Sequence, residues 1–93
     1  MGDEDRRHFM IDYVLTKHAR DAMDKRKISV AWLEQTLAEP RKCETDSIDP
    51  VLEHRLAVIS ENDNRVLRVI VNTQTKPVRV VTLFFDRNMR GKL

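Results

Sequence analysis

The chain has almost no glycine, with only Gly2 and Gly91 in 93 residues. Loops that cradle phosphate with backbone amides need several closely spaced glycines, so a glycine-rich phosphate loop is excluded. A single cysteine, Cys43, has no partner for an internal disulfide. No N-terminal apolar run has the length that a secretory signal needs, and a cytoplasmic location is expected. No apolar run approaches the length of a bilayer-crossing helix, so no membrane association is expected. Met1-Gly2 is not a myristoylation signal, because Arg6 stands where that motif requires Ser or Thr. His8, His18 and His54 lack metal-ligand spacing, and neither a metal nor any other cofactor is expected. No ordered nucleophilic triad has support in the sequence. Aromatic residues make up only 5% of the chain, which argues against a stacking platform for single-stranded nucleic acid. Any nucleic-acid contact would fall mainly on phosphate, and would depend on salt.

What is present suits one small domain. Hydrophobic residues are 41% and charged residues 34% of the chain, enough to close a thin core and too apolar for global disorder. The formal charge is only +2, but its distribution is uneven. The opening MGDED is acidic, whereas the stretch from Lys76 to Leu93 carries Lys76, Arg79, Arg87, Arg90 and Lys92 against one acid, Asp86. That end is either a solvated basic tail or a surface for an anionic partner.

Residues 1–9 read as a charged arm, 10–88 as a single α+β domain and 89–93 as a basic tail. The segment FMIDYVL, from Phe9, has the β-branched and apolar content of a first strand. Thr16 is an N-cap candidate for a helix running to about Arg26. Ser29 repeats the signal, with Val30, Leu33 and Leu37 on one face of a second helix that Glu39-Pro40 ends. Residues 41–45 suit a short edge strand. Three β-branched runs come next, LEHRLAVIS, RVLRVIVNT and PVRVVTLFF, joined by short polar connections that predict antiparallel hairpins. The order is β-α-α-β-β-β with a further short strand: two helices packed on one face of a mostly antiparallel sheet.

Period-two alternation places Leu67, Val69 and Val71 on one side of their strand and Val66, Arg68, Ile70 and Asn72 on the other. In the last strand it groups Val78, Val80, Thr82 and Phe84 against Arg79, Val81, Leu83 and Phe85. Two helices cover one face, so the open face would be apolar and studded with arginine, suited to a partner or a second copy of the chain. On the first helix, with His18 at zero, Arg26 falls near 80° at about 100° per residue, in the middle of the apolar stripe. Either the helix ends there and Arg26 offsets its C-terminal dipole, or His18 and Arg26 open together onto a cationic site, extended by Arg55 and Arg68.

The run TKHARDAMDKRKIS, the helix ending LAEP, the strand RVLRVIVN and the closing VRVVTLFFDR together resemble the bacterial family called domain of unknown function 4258. The resemblance spans about Tyr13 to Arg87. That family is grouped with the RelE-like toxins, so it implies a β, α, α, β-meander fold and a toxin held in check by an antitoxin protein. On this resemblance the activity would be RNA or ribosome binding with endoribonuclease cleavage by acid–base chemistry. His18, Arg26 and Arg68 would be the catalytic residues, and Arg55, Arg79 and Arg87 would hold the substrate. RelE-like nucleases commonly place working Arg, Lys or Tyr residues on the late strands and a C-terminal segment, whereas the only tyrosine here is Tyr13. Many relatives have glycine after the motif arginine. Lys27 stands there, so a different end to the first helix is expected. The alternative function is a non-catalytic binding module that pairs with another protein, or with itself as a homodimer, through the open sheet face.

Overall fold

The computed structural model describes residues 11–93. Its elements are β1 (Tyr13–Leu15), α1 (Lys17–Arg26), α2 (Val30–Ala38), β2 (Lys42–Thr45), β3 (Leu52–Ile59), β4 (Arg65–Asn72) and β5 (Val78–Phe85). Short 3-10 turns succeed β3 at Ser60–Asn62 and β5 at Arg87–Met89. The five strands form one sheet in the order β1-β5-β4-β3-β2. β1 runs parallel to β5, and the other three pairings are antiparallel. The expected α+β architecture is present, with both helices on one face.

The helix starts are set by hydroxyl caps. Thr16 Oγ1 accepts the Ala19 amide at 3.0 Å, and Ser29 Oγ accepts the Trp32 amide at 3.2 Å. Each bond satisfies one of the amides that a helix start leaves unpaired. Thr16 also donates to the Val81 carbonyl at 3.0 Å, which ties the first helix to the last strand.

The end of α1 differs from the sequence expectation. Lys27 takes the left-handed conformation, φ 56° and ψ 46°, that glycine usually supplies. Ile28 N–H reaches back to the Met23 carbonyl at 2.9 Å and Lys27 N–H to Asp24 at 3.4 Å. Both Ile28 and Met23 are buried, so the closing bonds are backed by an apolar contact across the cap. Packing outweighs the conformational cost of lysine. Lys27→Gly is therefore expected to raise stability by roughly 1 kcal/mol by removing the strained Cβ. A thermal midpoint that fails to rise in this variant would show that the cap carries no such strain.

The core lies between the helices and the sheet. Ala19, Ala22 and Met23 of α1 and Leu33 and Leu37 of α2 pack on Ile59, Leu67, Val69, Val71, Val80 and Leu83. Trp32 covers the edge of this layer, with its ring meeting Phe85 edge-on at 5.9 Å and 74°. Arg26 is the last residue of α1 and is exposed, so it has left the stripe and does not enter the core.

Two sequence expectations need correction. Among the described residues the first strand begins only at Tyr13, with Ile11 and Asp12 outside it: β1 is three residues long, and its partner β5 begins at Val78, opposite Tyr13. Phe9 itself, like the whole arm 1–9, lies outside the described residues. Strict alternation also fails in β5. A register shift leaves Val81 without a partner on β4, since Val71 pairs with Val80 and Ile70 with Thr82. This bulge turns Val80, Leu83 and Phe85 to the helices and Thr82 and Phe84 to the open face.

Candidate functional site

The arginines singled out in the sequence fall in separate places. Arg55 stands opposite Val69, on the helix side of the sheet. Its Nε donates to Glu53 Oε1 at 2.8 Å and its Nη1 to the Leu37 carbonyl at 3.1 Å, near the C-terminus of α2. Its Nε and Nη1 are thus committed to closing the fold. Arg79 is exposed and pairs with Asn72 near the start of β5, roughly 20 Å along the strand from Phe85 at about 3.3 Å per residue. His18 and Arg26 are both exposed on α1, separated by about 12 Å of helical rise. The structure does not bring them to Arg68, which lies on the opposite, open face of the sheet.

Arg68 is the centre of a polar cluster on that face. Its Nε and Nη2 donate to Asp86 Oδ2 at 2.9 and 2.8 Å, and its Nη1 donates to His54 Nδ1 at 2.7 Å. A weaker contact of 3.4 Å joins Nη1 to Glu44 Oε1. Arginine can only donate, so His54 Nδ1 accepts and the ring proton sits on Nε2, which donates to Asp46 Oδ1 at 2.7 Å. Both ring nitrogens are occupied. The Arg68 and Asp86 side chains are each 13% exposed, so this is a half-hidden network rather than a set of surface pairs. Lys42, and after it Arg68, hold the Glu44 carboxyl below its ordinary range.

Asp46 organises the loop between β2 and β3. Its Oδ2 accepts the amides of Ile48 at 3.1 Å and Asp49 at 3.0 Å. The Asp49 amide, with His54 next, lowers its carboxyl to about 2. A depressed carboxyl contributes stability that is complete above its ordinary value and is lost as pH falls through the depressed one. Amide exchange of Ile48 and Asp49 is therefore expected to stay protected at pH 5 and to lose protection between about 4 and 2. Protection that persists unchanged to pH 2 would contradict this role for Asp46.

Beside the network, where β4 begins and β5 ends, is a cleft of about 290 Å³ lined by Arg65, Val66, Phe85, Asp86, Arg87 and Arg90. Val66 and Phe85 give it apolar walls, and three arginines line it with them. Arg90 Nη2 is shared with Asp63, at 2.9 Å from Oδ2 and 2.8 Å from the backbone carbonyl. Among the described residues, Arg65 and Arg87 form no ion pair. The one carboxylate of the cleft, Asp86, is neutralised by Arg68. A concave site lined by two arginines that form no ion pair among the described residues, and by a third shared with Asp63, suits an anion, above all phosphate, which guanidinium recognises with paired N–H donors. Of the sequence candidates, Arg87 lines this cleft and Arg68 supports it from behind. Arg65, Arg90 and Asp86 were not singled out as site residues. Arg65 is distant in the chain from Asp86 and Arg90, and only the β4–β5 register places it beside them. The surplus of cations after Lys76 was the one available signal.

Among the described residues no helix is long and apolar enough to cross a membrane, and no cluster of His, Cys, Asp and Glu could hold a metal ion. Comparison with curated proteins and with solved structures found no match. A family model described as a domain of unknown function, DUF4258, matches residues 15–85, from β1 to the last residue of β5. The chain belongs to that family.

Proposed function

We propose that this chain is a RelE-like toxin-type domain that binds RNA by its phosphates in the cleft formed by Arg65, Arg87 and Arg90. The observation that carries the proposal is that three arginines line one cleft, whose lining carboxylate Asp86 is already paired to Arg68 while Asp63 engages only Arg90. The order β, α, α, β-meander agrees with the RelE-like resemblance. So does the position of the cleft, on late strands and a C-terminal segment, where RelE-like nucleases carry their working side chains. The proposal is confined to binding. Acid–base cleavage needs a proton acceptor and a proton donor beside the same phosphate, whereas the cleft offers arginines and a committed carboxylate, and His18 stands on a helix of the other face. An antitoxin that silences such a domain would cover this cleft with acidic side chains.

Pairing through the open sheet face has weaker support. The middle of that face is held by Glu44, His54, Arg68 and Asp86, which interrupt its apolar surface. The test is direct binding of a short labelled oligouridylate, with the double variant Arg65→Ala, Arg87→Ala as the comparison. Both side chains are exposed, so the variant is expected to stay folded while binding falls away.

A further inference from the structure

Asp86 is out of place in a site for anions. A carboxylate among three arginines weakens the attraction for phosphate, and a site selected only for positive charge would not contain one. Its bonds suggest another role. Oδ2 accepts both Nε and Nη2 of Arg68, at 2.9 and 2.8 Å, while Oδ1 accepts the Asn88 amide at 3.0 Å. The Asp86 amide donates to the Val66 carbonyl at 2.8 Å, which extends the β4–β5 pairing one step past Phe85. The backbone is thus fixed where it leaves β5 and enters the 3-10 turn Arg87–Met89. Arg87 begins that turn and Arg90 comes directly after it, so their approach to Arg65 depends on how the turn is set. Arg68 is steadied in turn by His54 and Asp46.

We propose that Asp86, locked by Arg68, is the positioning residue of the cleft: it aims Arg87 and Arg90 at the phosphate that Arg65 also meets. This rests on the reading of the cleft as a phosphate site. The Arg68–Asp86 pair serves geometry, with two charges given to direction rather than to attraction.

The sign of one substitution separates positioning from simple electrostatics. Asp86→Asn removes a negative charge from the cleft, so charge alone would tighten RNA binding. Its single amide oxygen can serve Arg68 or the Asn88 amide but not both, and the lock opens. Positioning therefore requires weaker binding in spite of the favourable charge, by about tenfold, the loss expected when one charge-assisted contact is misplaced.

The experiment is a salt titration of oligouridylate binding, monitored by fluorescence anisotropy, for the wild type, Asp86→Asn and Arg68→Lys. Each phosphate contact contributes about 0.7 to the slope of log affinity against log salt for a single strand. Partial unfolding scales the apparent affinity by the folded fraction, so that fraction is measured by circular dichroism at each salt concentration and divided out, and the corrected slope reports contacts in the folded protein. A shallower slope by about 0.7 in both variants, with weaker binding, is the expected result. A slope unchanged or steeper in Asp86→Asn overturns the positioning role, whatever its affinity. Failure of the wild type to bind at all removes the phosphate reading of the cleft itself, a distinct outcome.

Discussion

Arg68→Ala is expected to cost about 3 kcal/mol of folding stability, the low end of the range for removing one partner of a buried ion pair. The reason is the carboxylate left behind. Asp86 is only 13% exposed and loses both of its guanidinium donors, so an ionised group is stranded against the sheet. His54 Nδ1 loses its donor as well, and its bond to Asp46 loses the partner that fixed the ring. The sheet position itself is not at fault, since Arg68 lies opposite Leu56 and Phe84 in regular register. Arg68→Lys keeps the charge but cannot place two N–H groups on one oxygen, and a smaller loss is expected. Urea unfolding at pH 7 measures both. For a domain of this size, about 3 kcal/mol lowers the thermal midpoint by more than about 10 °C. A loss below about 1 kcal/mol for Arg68→Ala would mean that water reaches Asp86 freely and that the cluster behaves like an ordinary surface pair.

Much of the fold could be read from the sequence because it depends on local signals. Thr16 and Ser29 each precede a helical stripe and cap it as a hydroxyl at that position should. Three β-branched runs broken by short polar turns became β3, β4 and β5, since such turns leave neighbouring strands nowhere to go but back alongside each other. The features that escaped reading depend on distant partners. The bulge at Val81 is linked to a hydroxyl 65 residues earlier, and the parallel pairing of β1 with β5 joins the two ends of the domain. Lys27 adopts a glycine-like conformation because buried Ile28 and Met23 close over the helix end, a contact that propensity alone does not weigh.

The candidate site was legible only in part, for the same reason. His18 and Arg26 share a helix and a motif, which made them the natural pair in sequence, yet both face outward and neither meets Arg68. Arg87 belonged to a visibly basic segment and does line the cleft. Its companion Arg65 comes 22 residues earlier, directly after the β3–β4 turn, and nothing local distinguishes it from a solvated turn residue. The role of Asp86 was hidden by its sign. Counted as a charge it subtracts from the basic end, whereas its position makes it the anchor of the turn that presents the arginines.

The central claim is that the cleft at the end of β4 and β5 is a phosphate-binding surface. It is tested most directly by the salt dependence of oligouridylate binding in the wild type and in Arg65→Ala, Arg87→Ala. Three arginine contacts on a single strand give an expected slope of about −2 for log affinity against log salt, at about 0.7 per contact. Losing two of them should bring the slope to about −0.7 and weaken binding about 100-fold, since each charge-assisted contact is worth roughly tenfold. A double variant that binds with the affinity and slope of the wild type would contradict the claim.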